Sequence, residues 1–327
     1  MSGFEVVQPG PLSLLQDAGR LGWQHLGVSP AGPLDLHAAA WANHLLGNAW
    51  GAPLLEVALG GLQLRSRVDS WVAVCGADVV IEVDGVPQAN WSRFAVRAGQ
   101  QLQLGYARSG QRAYLAVAGG FHGPTQLGSI ATQQRDGLGG LHGDGRALQA
   151  GDWLRCAAAQ LPGVASVPWP YVPDYNCRPL LRVITGGDAL SFSEDQLQGF
   201  FAQPWQLSPQ ADRMGARLCG AALTVPDLAP ARQWSQGVST GAIQVPADGQ
   251  PIILLADRQT IEAPDQLVVA PRLDAVGPPQ FEEEAVGGDD VGRDPTVRAG
   301  GVGAGDHHVL EDGVEADLVA AHGPAQR

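Results

Sequence analysis

Four polar residues stand together at the end of an apolar run: Asp257, Arg258, Gln259 and Thr260 follow residues 251–256. A carboxylate, a guanidinium, an amide and a hydroxyl in consecutive positions can grip a polar small molecule, balance charge and handle a proton. The run that delivers them has the continuous hydrophobicity of a strand covered on both faces. Polar groups at the tip of such a strand sit on a rigid frame. They equally suit the start of a loop, and the local pattern leaves both readings open. Upstream, residues 242–245 read as a short strand, which Pro246 ends because it cannot donate to a ladder. Ala247-Asp248-Gly249-Gln250 supplies the turn between the two runs.

Three other groupings have chemical spacing. Gly237-Val-Ser-Thr-Gly241 matches the GxSxG nucleophile elbow, which needs a strand before it and a helix after it. Residues 242–245, just beyond it, are strand-like, which argues against a serine hydrolase. His37 and His44 fall on one face of a predicted helix. A helical metal pair is more often spaced i, i+4, and no third ligand suggests itself. Residues 137–151 form the most glycine-rich loop, without GxGxxG spacing. Its backbone amides could cradle an anion with Arg146, or it is an ordinary loop.

Composition narrows the chemistry. The chain has 327 residues, and all 20 of its basic residues are Arg. Without lysine there is no Walker A phosphate loop, no Schiff-base nucleophile, no pyridoxal phosphate anchor and no covalent biotin on this chain. A net charge of −13 argues against nucleic acid or an anionic membrane as partner. Cys75, Cys156, Cys177 and Cys219 form no CxxC pair and no secretory signal precedes them, which predicts buried free thiols and a cytoplasmic location. No apolar run approaches the ~18 residues of a membrane-spanning helix.

Many short apolar runs at regular spacing, with 44 Gly and 24 Pro, predict a mainly β protein of barrels or sandwiches. Asp84-Gly85 marks a hairpin turn, Asp35 caps a helix over residues 36–46, and Ser193 with Gln196 forms a capping box. Five prolines in residues 161–179 mark a linker. A weak internal repeat aligns residues 4–10, 17–22 and 55–57 with 181–187, 212–215 and 243–245, suggesting two related β domains. Residues 261–327 carry 14 acids and 4 arginines with little periodicity, and by composition are predicted to be largely disordered.

Taken in order, several stretches resemble one family. They are Asp17-Ala-Gly-Arg20, Gly32-Pro-Leu-Asp35 with Asn43 and Gly47-Asn48, Leu55-Glu-Val57, and Arg112 with Tyr114-Leu-Ala-Val-Ala-Gly-Gly120. Leu127-Gly-Ser129, Gly139-Gly140 with Gly145-Arg146, Asp212-Arg-Met-Gly215 and the segment from Ser235 to Thr260 complete the set. The family is that of the C subunit of 5-oxoprolinase, also called allophanate hydrolase subunit 2 or biotin-dependent carboxyltransferase-like. The chain departs from its pattern at Ala131 and Gln236, and after Thr260, where a Gly-Gly-Tyr-Pro-like segment is expected and Ile261-Glu-Ala-Pro-Asp stands instead. A change of reading frame near residue 261 is the expectation drawn from that break.

The resemblance implies two cyclophilin-like β-barrel domains with a few short helices. Their bounds would be 1–160 and 180–260, joined by the Pro-rich linker 161–179 and succeeded by the acidic tail 261–327. It implies a companion subunit of related fold, a further lactam-opening subunit and a small amide substrate. The reaction would be ATP-dependent 5-oxoprolinase chemistry: 5-oxo-L-proline, ATP and water give L-glutamate, ADP and phosphate. One alternative is the carboxyltransferase half of a biotin-dependent urea or amide carboxylase. Another is a non-catalytic regulator that binds a kinase-inhibitor-like companion. For the lactam reaction, Arg112 would supply charge, and Asp35 and Asp257 would act as acid/base or orienting carboxylates. Asn43, Gln244 and Gln259 would meet the amide edges, with Tyr114 and Thr260 as further substrate contacts. No metal is expected.

Overall fold

The computed structural model describes residues 2–177, 180–184, 192–224, 236–262, 267–271 and 316–321. The protein is mainly β, with two α-helices and two 3-10 turns among the described residues.

The first unit is a ten-stranded antiparallel sheet. Its spine is the antiparallel pair Ser70–Val83 and Gln101–Val117, which stays paired from Val72↔Val117 to Val83↔Leu102. The sequence breaks these long strands into pieces, because Gly76, Gly105 and Gly110 interrupt them. Bulges fall near Gly76 and Asp78, where the register shifts. A Cβ at Gly76 would lie 2.5 Å from the Arg112 carbonyl oxygen, so only glycine lets the strands approach there. Asp84 and Gly85, both at positive φ, turn the chain into Val86–Gln88 as the Asp-Gly pair predicts. Leu54–Ala58 pairs with the second half of Gln101–Val117, and Leu12–Gln16 adds to its outer edge.

Helix α1, Leu36–Leu45, packs on this sheet through Ala38, Ala39 and Ala42, whose small side chains allow close approach. Asp35 caps it by accepting from the Ala38 amide at 2.9 Å. His37 Nε2 lies 2.8 Å from the Tyr171 carbonyl, where the imidazole donates. The Pro-rich segment is more than a tether. Ala165–Ser166 pairs with Ser92–Arg93, and the Tyr175 hydroxyl donates to Asp35 at 2.6 Å.

In the second unit, pairing runs through Leu180–Ile184, Leu267–Pro271, Ile243–Val245, Ile252–Leu254, Gly215–Cys219, Trp205–Leu207 and Ala316–Ala321, then returns to Leu180–Ile184. Helix α2, Glu194–Ala202, starts with the Ser193/Gln196 capping box and buries Phe200 against Trp205. Residues 261–327 are thus not uniformly unstructured. Short β-rich runs form the strands Ile261–Glu262, Leu267–Pro271 and Ala316–Ala321; the rest of the predicted disorder lies outside the described residues.

All four cysteines are free, with Cys75 and Cys156 buried. Cys177 and Cys219 are exposed, against the expectation of buried thiols: Cys177 lies in a turn-rich stretch and Cys219 is the last residue of the strand Gly215–Cys219. No helix among the described residues is long and apolar enough to cross a membrane.

The internal repeat has a physical counterpart. Asp17 Oδ1 accepts from the Gly19 amide, and Asp212 Oδ1 accepts from the Met214 and Gly215 amides. Each turn presents a buried arginine, Arg20 and Arg213. Arg20 ties down backbone carbonyls at Gln126 and Ala131. Arg213 does something different.

Candidate functional site

Glu56 and Tyr114 face each other across the sheet, as do Ala58 and Arg112 two residues along. Side chains two apart share a face, so Arg112, Tyr114 and Glu56 project together. Glu56 is 2% exposed. Its Oε2 accepts from the Tyr114 hydroxyl at 2.8 Å and the Leu34 amide at 2.9 Å. Its Oε1 accepts from Arg213 Nη1, and Arg112 Nε stands 3.4 Å away. A carboxylate ringed by this many donors is fixed in orientation.

Arg213 arrives from the second unit on the Asp212 turn. Its Nε and Nη2 form a fork to the two oxygens of Asp257 at 2.9 and 3.0 Å. Nη2 also donates to the Gly32 carbonyl at 2.6 Å, on a loop where Gly32 takes a φ of +90°. The Asp257 amide donates to the Arg213 carbonyl, so strand tip and turn are stitched through backbone as well. Ser29 of the first unit caps the tip, its hydroxyl donating to the Arg258 carbonyl at 2.5 Å. A single guanidinium, forked to Asp257 of its own unit, therefore reaches into the first through the Glu56 carboxylate and the Gly32 carbonyl.

Burial pushes the Asp257 carboxyl above its usual range, and the Arg213 fork offsets part of that push. Burial also works against the Arg213 cation, but Glu56 and Asp257 together outweigh it and hold the guanidinium above its ordinary value. The Tyr114 phenol is raised well above ordinary, by burial first and then by Glu56 and Asp35, so it stays a neutral donor.

This cluster forms one end of a cleft of about 700 Å³, lined by Arg112, Arg135, Asp212, Arg213, Asp257 and apolar residues including Leu207 and Met214. Its polar wall can take an anion or a developing oxyanion, and its apolar wall can hold a short hydrocarbon ring.

The structure places Arg112 and Asp257 at the cleft. Tyr114 lies beneath them and touches Glu56. Asp35 is the α1 cap and accepts from Tyr175. Asn43 bonds the Ala52 carbonyl and Asn48, closing the end of α1 away from the cleft. Gln244, Gln259 and Arg258 line a separate hollow of about 260 Å³. Gln259 and Thr260 line another of about 280 Å³, which shares Arg135 with the main cleft. Ser239, in the GxSxG stretch, is exposed and leads into the strand Ile243–Val245, not a helix. Among the described residues no group of three or more His, Cys, Asp or Glu could hold a metal.

Two central residues, Glu56 and Arg213, lie within the family-like stretches Leu55-Glu-Val57 and Asp212-Arg-Met-Gly215, but the sequence assigns them no role. The available signal is a lone carboxylate inside the apolar run Leu54–Ala58, where burial demands a partner.

Removing the Tyr114 hydroxyl tests the support beneath Glu56. Tyr114→Phe leaves the Asp35 amide and one Glu56 lone pair without a partner. It is expected to cost about 1–3 kcal/mol. Thermal melting checks this at roughly 2–4 °C per kcal/mol, and an unchanged melting temperature would show that water fills the role.

The family model described as "Carboxyltransferase domain, subdomain A and B" matches residues 26–270. The chain belongs to this carboxyltransferase A and B family. The match runs past Thr260, so family-like sequence does not stop at residue 261 as the local break suggested; the strand Leu267–Pro271 pairs with Ile243–Val245 within it. Among carboxyltransferase-family relatives, the 5-oxoprolinase C subunit of Escherichia coli (strain K12) is 36% identical over 264 residues, covering 79% of this chain and 81% of the relative. Urea amidolyase of Lachancea kluyveri is 32% identical over 233 residues, covering 66% of this chain and 12% of the relative. The solved structure of the K. lactis urea amidolyase superposes with a TM-score of 0.72 at 27% identity, over 82% of this chain and 17% of that one. The chain therefore spans a small part of the urea enzymes and most of the 5-oxoprolinase subunit.

Proposed function

We propose that the chain is a subunit of an ATP-dependent 5-oxoprolinase, active in the cytoplasm with a companion subunit of related cyclophilin-like fold and a lactam-opening subunit. The observation that carries this reading is the Arg112–Glu56–Arg213–Asp257 cluster at the cleft, in a chain similar to the C subunit of 5-oxoprolinase over most of both lengths. An unactivated lactam carbonyl is a poor electrophile, and ATP supplies the leaving group that makes hydrolysis feasible in the assembled complex. In this chain Arg112 and Arg135 are the cleft cations suited to an oxyanion. Asp257, locked by the Arg213 fork, orients rather than carries a proton. Glu56 and Tyr114 hold Arg112 and Arg213 in place from below.

Co-expression with the companion subunits tests this. Release of glutamate and phosphate in equal amounts from 5-oxoproline and ATP is expected, and only when this chain is present. An equally active complex lacking the chain would refute the proposal.

The likeness to the K. lactis urea amidolyase favours a second reading, the carboxyltransferase half of a biotin-dependent urea or amide carboxylase. Because the chain has no lysine, biotin would arrive on another polypeptide. Avidin-sensitive carboxylation of urea by the complex distinguishes the two.

A further inference from the structure

A second hollow, of about 520 Å³, opens on the first sheet and shares no lining residue with the cleft. His122, Pro124, Leu141, His142, Trp153 and Arg155 line it, and no carboxylate is among the lining residues. The glycine-rich loop supplies His142, and the strand Trp153–Arg155 supplies the opposite wall. That strand is fixed on both sides: it pairs with Gly3–Glu5, and the Arg155 carbonyl accepts from the His122 amide at 2.9 Å.

The charges around the hollow divide into satisfied and unsatisfied. Arg146, the loop residue that its sequence put forward as an anion ligand, is neutralised, with Asp144 at 3.2 Å and Asp152 at 3.6 Å. Asp152 also meets His142 Nε2 at 3.0 Å and accepts from the Gln149 amide, so both its oxygens are engaged and His142 keeps its Nδ1 for a ligand. Glu5, on the neighbouring strand, is paired with Arg67. Arg155, an exposed residue, has no ion pair or side-chain hydrogen bond among the described residues. The hollow thus gathers one uncommitted guanidinium and two imidazoles, with an indole, a leucine and a proline as its apolar walls.

The geometry points to a binding site for a small oxyanion, a phosphate or carboxylate group, held by Arg155 with His142 and His122. A guanidinium presents a planar fork of donors that matches either anion. The apolar walls suit a ligand with a short hydrocarbon body. The reaction proposed above uses none of these residues, so the site stands or falls independently of it.

Calorimetric titration of the full chain with inorganic phosphate, and separately with acetate, tests the site. At least one anion is expected to bind saturably at one site. Arg155→Gln should weaken that binding about tenfold or more, the loss typical of a charged hydrogen-bond partner. His142→Ala, which leaves Arg155 in place, should weaken it too. Arg97→Gln, which removes an exposed arginine elsewhere on the same sheet, should leave it within about twofold. Saturation by phosphate only, or by acetate only, assigns the anion class. Failure of both to saturate, or equal losses in Arg155→Gln and Arg97→Gln, would overturn the proposal. Melting curves of each variant guard the comparison, since Arg155 makes no side-chain bond whose loss would unfold the chain.

Discussion

Replacing Arg213 with alanine is expected to lower the melting temperature by roughly 10 °C or more, with a larger loss at pH 7.5 than at pH 5. The side chains of Arg213, Glu56 and Asp257 are 5%, 2% and 6% exposed. Removing the cation strands two carboxylates in one buried space, and breaking a buried pair in this way costs about 3–5 kcal/mol. The pH dependence follows from Asp257. Its native carboxyl already lies above the ordinary range through burial, and Arg213 is the group that pulls it back. Without Arg213 the upward push is unopposed. A carboxyl whose native pKa exceeds its unfolded one binds more protons in the native state, so its stabilising contribution is complete below the unfolded pKa and is lost as pH rises through the native pKa. The variant should therefore weaken steadily from about pH 4 upward. Arg213→Lys keeps a charge but cannot bridge Asp257, Glu56 and the Gly32 carbonyl together, and should fall between the two. Melting curves at pH 5, 6 and 7.5 decide the matter. Equal depression at pH 5 and pH 7.5 would mean that Asp257 is not the titrating group.

Much of the frame is legible in the sequence, and the reason is local. The Asp84-Gly85 turn, the Asp35 cap and the Ser193/Gln196 box each depend on residues within a few positions of one another. The strands Leu54–Ala58, Leu62–Ser66 and Ile243–Val245 follow from their apolar pattern. Leu12–Gln16 is not legible in this way, because all but its first residue are buried and no alternation marks it as a strand. The site is only half legible. Arg112 and Asp257 stand out as charges at the ends of apolar runs. Glu56 and Arg213 fall in family-like stretches but show no role there, since what defines them is a contact across 157 positions of sequence. A lone Glu in an apolar strand demands a partner, but the strand does not name one until the second unit brings the counter-ion. Asn43 shows the opposite error: a polar residue in a family-like stretch whose two bonds only finish a helix.

Arg112 should behave unlike Arg213, and the contrast separates chemistry from support. In the assembled complex, Arg112→Gln is expected to cut kcat/KM for 5-oxoproline by about 10²–10³-fold, the scale for losing one preorganised donor to a developing oxyanion. Its melting temperature should move by no more than about 2 °C, since a partly exposed ion pair contributes little. The side chain is 21% exposed and its Nε stands 3.4 Å from Glu56, beyond a good hydrogen bond. Glu56 keeps its bonds from Tyr114, Leu34 and Arg213 when Arg112 is gone, so the frame stays satisfied. The neighbouring Arg135 is engaged with Asp136 at 2.8 Å, leaving Arg112 as the cation at the cleft wall least committed to the protein. If Arg112 stabilises charge only as the carbonyl reacts, kcat falls and KM holds; if it merely anchors the substrate, KM rises and kcat holds. Arg112→Lys should recover part of the lost rate by restoring the charge without the fork. Full activity in Arg112→Gln would remove Arg112 from the chemistry and leave it a structural partner of Glu56.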